Sequence, residues 1–383
     1  MGASMRYVAG VFLFLGSVAG AQDGNGLSQR NIDEAIRRGV AWLRTAPSTG
    51  GHLNTNCDEL ILLTFIHAGV SERDEHFQKL FKNVMEAPLE HTYKVALLAM
   101  CLEELDRVTF QWRIAQCAQF LVDNQCQNGQ WSYGKPTEAV KNIASGDKEL
   151  KPPAPTKGVR EFGAEREKPK VRQRLKVSKG KPVGPASGDN SNSQYAALGL
   201  RACYDAGVDV PEETVYLAYK WWVESQHPDE GGAGKNDVAS GDGGKTQGWN
   251  YRSPAVDDRK PYHAMTAGAL GAVCIYNYMM GRDWKKDPVV KAGYNWLAKH
   301  FTVNSNYYYM YGLERAGMLY GTDKFGDHDW YLKGAQLLLK QQKADGSWNR
   351  GDKPEEGTWD TCFAILFLKK ATRAIASEGG RRR

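Results

Sequence analysis

Two groups of side chains in this sequence have the types that chemistry needs. Asp58 and Asp360, with Glu314 as a third, are carboxylates set in apolar segments. A pair of carboxyl groups roughly 5–10 Å apart across a cleft could cleave a glycosidic bond. Asp360 also reads as a helix N-cap, because it stands directly before an apolar run and could satisfy free amide donors. The second group is aromatic and polar: His91, Tyr93, Asn192, Gln194, Trp249, His263, Tyr307, Tyr309, Tyr311, Trp359 and Asp360. Aromatic walls with a few convergent polar groups suit a small-molecule site. Both groups are scattered along the chain, so the elements that carry them decide whether they meet.

Those elements repeat. An amphipathic helix, a polar or Gly-rich loop and a second helix that is apolar on nearly all sides recur six times. The spacing predicts Ile32–Leu43 with Cys57–Ala68, Phe77–Met85 with His91–Leu105, and Trp112–Val122 with Ser193–Ala206. It then predicts Val215–Ser225 with His263–Met280, Val289–Phe301 with Tyr307–Leu319, and Trp330–Gln341 with Asp360–Thr372. A helix apolar all round must touch neighbours on both flanks. Six such hairpins therefore predict an all-α, (α/α)6 toroid or barrel, with an open solenoid of helix pairs as the alternative. In a toroid the starts of the inner helices converge, and the second group above would ring that mouth. The uncharged run from Ala264 to Gly281 is too short and too rich in small residues for a membrane span, and reads as an inner helix.

Composition adds limits. The chain has 383 residues, 42% hydrophobic and 25% charged, which excludes collagen-like, coiled-coil and wholly disordered classes. Of its +6 net charge, residues 135–185 hold 14 Lys and Arg against 6 Asp and Glu, a local +8 that leaves −2 for the rest. That segment also holds 7 of 15 prolines and a single aromatic, so 135–188 reads as a disordered basic insertion splitting the third hairpin. It could tether the protein to an anionic surface. Residues 1–21, with Arg6, the apolar run Val8 to Leu15 and the small-x-small ending at Ala21, read as a signal peptide. The expected order is leader 1–21, hairpins 22–134, insertion 135–188, hairpins 189–375 and a basic tail 376–383. Export is expected, periplasmic or extracellular, with no membrane span after cleavage. The seven cysteines are mostly embedded in apolar pattern and read as buried thiols, with Cys117–Cys126 the one plausible local bridge.

Gln341 to Trp348 followed by Asp360-Thr361-Cys362-Phe363-Ala364 resembles the repeat of squalene/terpene cyclases and protein prenyltransferase β-subunits. Ser191-Asn192-Ser193-Gln194-Tyr195-Ala196, Met265-Thr266-Ala267-Gly268, Tyr309 to Gly317 and His328-Asp329-Trp330-Tyr331 are similar to a group of exported bacterial toroid proteins of unassigned activity. The resemblance covers nearly all of residues 28–373 outside the insertion and implies a toroid with a central cavity. The cyclase acid motif Asp-x-Asp-Asp-Thr is reduced here to Gly357, Thr358, Trp359, Asp360 and Thr361. Prenyltransferase zinc sites use Asp-x-Cys and a later His; Asp360-Thr361-Cys362 has the spacing, but no His follows His328. Closure could add Cys57, Asp58 and His91, giving a speculative zinc set of Cys57, Asp58, His91, Asp360 and Cys362. No cofactor is expected. The favoured expectation is a toroid binding an apolar, isoprenoid-like ligand. A glycan-acting enzyme and a scaffold module are the alternatives.

Overall fold

The computed structural model describes residues 27–50, 55–143, 168–180, 184–230, 244–351 and 354–375. Among them the chain is all-α, with twelve α-helices and three two-residue strand pairings. The leader 1–21, the tail 376–383 and residues 144–167 of the insertion lie outside the described residues.

The helices alternate between two kinds. The odd-numbered ones are α1 (Gln29–Leu43), α3 (Glu75–Glu86), α5 (Gln111–Asp123), α7 (Glu212–Glu224), α9 (Pro288–Lys299) and α11 (Trp330–Gln341). In α1, Ile32, Ala35, Ile36, Val40 and Leu43 recur at three- and four-residue steps and are buried, and the Ser28 hydroxyl caps the Asn31 N–H at 3.2 Å. The even-numbered ones are α2 (Asp58–Ala68), α4 (Thr92–Asp106), α6 (Asn190–Asp205), α8 (His263–Met279), α10 (Tyr307–Tyr320) and α12 (Pro354–Leu368). In α2 every residue from Asp58 to His67 is buried, and α8 is buried from Ala264 to Asn277. Each even helix packs on the next in chain order, and α12 packs on α2 and on α1. No described helix is long and apolar enough to cross a membrane.

Three loops explain why this order holds. Trp131, Trp249 and Trp348 are fully buried, and their indole N–H groups donate to Leu121 O, Trp222 O and Leu338 O at 2.7, 2.8 and 2.8 Å. Their backbone N–H groups donate to the hydroxyls of Ser193, Thr266 and Thr361, each at 3.0 Å, which fixes the loop to the following even helix. One glutamine amide per loop reaches onward: Gln125 to Thr214 O at 2.8 Å, Gln226 to Val289 O at 3.1 Å, and Gln342 to Ala35 O at 2.8 Å. The first two staple an odd-numbered helix to the region of the next; the third links the last hairpin to the first. Gly346 sits at φ 95°, and an added Cβ there would lie 2.7 Å from Arg38 O, so a side chain is excluded at the joint.

Two expectations need correction. Helix α12 starts at Pro354, so Asp360 lies inside it and is no N-cap. Its Oδ2 instead accepts from the Arg350 backbone N–H at 2.9 Å, tying the preceding loop down. The insertion is also not disordered throughout. Residues 168–180 and 184–188 run along α5 as a strap, its backbone held by side chains of that helix and its surroundings. Arg107 Nε donates to Pro169 O at 2.7 Å, Gln111 Nε2 to Gln173 O at 2.6 Å and Gln119 Nε2 to Ser178 O at 2.6 Å. Asp123 Oδ1 accepts from Gly180 N at 2.8 Å, and Gln127 N donates to Pro185 O at 2.9 Å. Covered in this way, α5 is buried from Ile114 to Asp123, polar residues included. Lys168 and Arg174 are engaged by Glu103, Glu104 and Asp209, so the free positive charge is smaller than the sequence suggests. All seven cysteines are free and buried; there is no Cys117–Cys126 bridge.

Candidate functional site

The starts of α2, α4, α6, α10 and α12 surround a pocket of about 120 Å³. Its walls are Leu60 of α2, Tyr93 and Leu97 of α4, Ser191, Asn192 and Tyr195 of α6, Tyr308 of α10 and Trp359 of α12, with Cys57, Tyr133 and Tyr251 from loops. Tyr93 and Trp359 have ring centroids 6.1 Å apart, Tyr195 and Tyr308 6.4 Å, and Trp359 meets Phe363 edge-on at 6.4 Å. Aromatic rings at these separations hold one another in place around the pocket.

One carboxyl group lines this pocket, that of Glu59. It is 4% exposed; Oε1 lies 3.6 Å from Lys94 Nζ, and Oε2 has no hydrogen-bond partner. Lys94 Nζ donates to Asn56 Oδ1 at 2.7 Å, so its pull on Glu59 is shared. Burial outweighs the Lys94 charge and pushes the Glu59 carboxyl up to about 7. The folded protein thus holds this proton more tightly than the unfolded chain. Its contribution to stability is complete below pH 4.5 and declines as pH rises to about 7. Glu59→Gln removes that decline: relative to wild type, the variant should gain about 3 kcal/mol between pH 4.5 and 7.5. Urea unfolding at the two pH values measures the gap. A constant gap would mean that Glu59 is solvated.

Of the residues expected at the mouth, Tyr93, Asn192 and Trp359 line the pocket. His91 stands beside it, its ring stacked on Tyr93 at 6.0 Å, with φ at 60° and an Nδ1 that is buried without a hydrogen bond. Gln194 and Tyr311 lie behind the wall, each in contact with the Arg315 guanidinium. The others serve the fold. His263 Nε2 is 2.6 Å from His300 O, Tyr309 donates to Thr302 O at 2.9 Å, Tyr307 donates to Gln341 Oε1 at 3.2 Å, and Trp249 is a loop staple.

The carboxylate pair and the zinc set are not assembled. Asp58 Oδ2 accepts from Asn83 Nδ2 of α3 at 2.9 Å, Asp360 holds Arg350, and neither lines the pocket. Glu314 accepts from the Thr372 N–H at 2.9 Å and hydroxyl at 2.7 Å, clamping the chain after α12. Cys57 and Cys362 are buried thiols; burial raises both, Cys362 to about 12. Among the described residues no three His, Cys, Asp or Glu side chains converge on a metal position.

Sequence reasoning missed Glu59, its partner Lys94, Tyr133, Ser191 and Tyr195 as parts of the site. The signal for the first two was a charge inside an apolar helix start, Asp58-Glu59-Leu60-Ile61 and Tyr93-Lys94-Val95-Ala96. No protein-family model matches the chain, and no curated protein matches its sequence.

Proposed function

We propose that the chain is an (α/α)6 toroid, exported after cleavage behind Ala21, that binds a small apolar ligand or the apolar end of a larger one. The packing of α12 on α2 and the Gln342 bond to α1 support the toroid. The observation that carries the binding reading is the wall itself: Tyr93, Tyr133, Tyr195, Tyr251, Tyr308 and Trp359 converge from distant parts of the chain on one space. At about 120 Å³ it is close to the cavity size that accepts benzene, so it takes roughly one five- or six-carbon unit. An isoprenoid would enter by its terminal unit, with the rest of its length outside. Glycan cleavage by paired carboxylates is less well supported, because Glu59 is the one carboxyl lining the pocket. Contact with an anionic surface through residues 135–185 is proposed only for the basic residues outside the strap's ion pairs.

Saturation-transfer NMR with dimethylallyl alcohol tests the reading. A Kd on the order of 1 mM is expected for so small a probe. Leu97, on the pocket wall, should abolish the transfer when replaced in Leu97→Trp. Absence of transfer to the wild type, or equal transfer to a folded Leu97→Trp variant, would overturn the proposal.

A further inference from the structure

Behind the pocket wall lies a buried guanidinium to which, among the described residues, no carboxylate is hydrogen-bonded. Arg315 of α10 is 2% exposed, stacks on Tyr311 at 4.2 Å and Tyr195 at 5.3 Å, and donates from Nη2 to Gln194 Oε1 at 2.9 Å. Arginine can only donate, so the Gln194 carbonyl oxygen must face it and the Gln194 amide nitrogen must face the other way. That nitrogen donates to the Tyr308 hydroxyl oxygen. Gln194 thus occupies one lone pair of the Tyr308 oxygen, and the arrangement that uses the Tyr308 proton is donation to its other neighbour, Ser191 Oγ, at 2.8 Å. With its oxygen accepting from Tyr308, Ser191 has its own proton left to give, and Ser191 lines the pocket. One fixed charge in the core thus sets the direction of the first two hydrogen bonds and biases the third. Glu59 also lines this space, with its Oε2 buried and without a hydrogen-bond partner.

We propose that the pocket selects an uncharged ligand whose apolar ring or branched unit carries a hydrogen-bond-accepting oxygen, and that Ser191, oriented through Tyr308, Gln194 and Arg315, donates to that oxygen. This inference rests on the binding role proposed above and names the chemistry of the guest. In that arrangement a guest offering only a donor would meet the Ser191 hydroxyl proton to proton, and Arg315 keeps the Gln194 amide turned to Tyr308 behind it. Arg315 is a positioning residue; Ser191 is the one that touches the guest.

The test compares cyclohexanone with methylenecyclohexane, in which a methylene replaces the carbonyl oxygen at nearly the same shape. Saturation-transfer NMR on the intact protein should show cyclohexanone binding about tenfold tighter, the size expected for one well-made hydrogen bond. The preference should vanish in Ser191→Ala, where the ketone and the alkene should bind alike. The infrared carbonyl band of bound cyclohexanone should shift to lower frequency in the wild type and return in Ser191→Ala, a readout that a purely structural role of Ser191 would not move. Equal affinity for ketone and alkene without a band shift would overturn the inference and leave the binding pocket standing. Tighter binding of cyclohexylammonium than of the ketone would also overturn it, by making the aromatic wall and Glu59 a cation site. Binding of none of the three would overturn the pocket reading as well.

Discussion

Replacing Trp348 by alanine should lower stability by about 3–5 kcal/mol, the cost of removing a fully buried indole from a packed interior. The residue sits where the first and last hairpins meet. Its indole donates to Leu338 O of α11, its backbone N–H donates to Thr361 of α12, and its ring fills the space against Gly39 of α1, where an added Cβ would lie 2.9 Å from it. The comparison with Trp131→Ala makes the result informative, because Trp131 makes the equivalent bonds within the third hairpin, to Leu121 O of α5 and Ser193 of α6. If the hairpins close on themselves, the two substitutions should cost the same within about 1 kcal/mol in urea denaturation and leave one cooperative transition. In an open array Trp348 would belong to a terminal unit, and its loss would fray that unit at much smaller cost.

Glu104→Ala should be comparably damaging, by about 3–5 kcal/mol, because it strips a carboxylate from buried cations. Glu104 of α4 is paired with Lys168 at the start of the strap and with Arg373 beyond α12, the latter at 2.8 Å. Burial opposes its charge, yet Lys168, His67 and Arg373 prevail and hold the carboxyl far below the usual carboxylate range. A carboxyl depressed in the folded state contributes stability above its unfolded value of 4.5 and loses it as pH falls below that. Glu104→Gln, which keeps the shape, should therefore flatten the acid limb of the stability curve while showing its deficit at pH 7. Hydrogen exchange gives the second readout: amides of 170–180 and 371–375 should lose protection together. An unchanged acid limb, or exchange confined to one of the two segments, would mean that Glu104 does not join them.

The two ends of the molecule were not equally legible in the sequence. Where burial is dictated by local pattern, as in the uncharged stretch of α8, periodicity and residue type sufficed to place the element; Trp249, expected at the mouth by its type, is instead a buried loop staple. Helix α12 was started six residues late because Glu355-Glu356-Gly357-Thr358 carries no apolar signal before Trp359. The strap was unreadable for a different reason. Residues 168–180 have no period of their own, and their backbone is held by Arg107, Gln111, Gln119 and Asp123, more than fifty residues earlier in every one of these bonds. At the site, the aromatic members Tyr93 and Trp359 were visible by type. The choice between Asp58 and Glu59 was not. Adjacent helix positions point about 100° apart, so only the packing of α2 settles that Asp58 turns to Asn83 of α3 and Glu59 to the pocket.

The central claim is that hairpins closed into a toroid leave one aromatic space at the mouth of its inner helices. A crystal structure of the protein pressurised with xenon tests it most directly, since xenon enters apolar cavities of this size without needing a specific chemistry. The account predicts xenon density bounded by Tyr93, Tyr195, Tyr308 and Trp359, with α12 packed on α2. A pocket filled by those same side chains, or a first hairpin separated from the last, would contradict it.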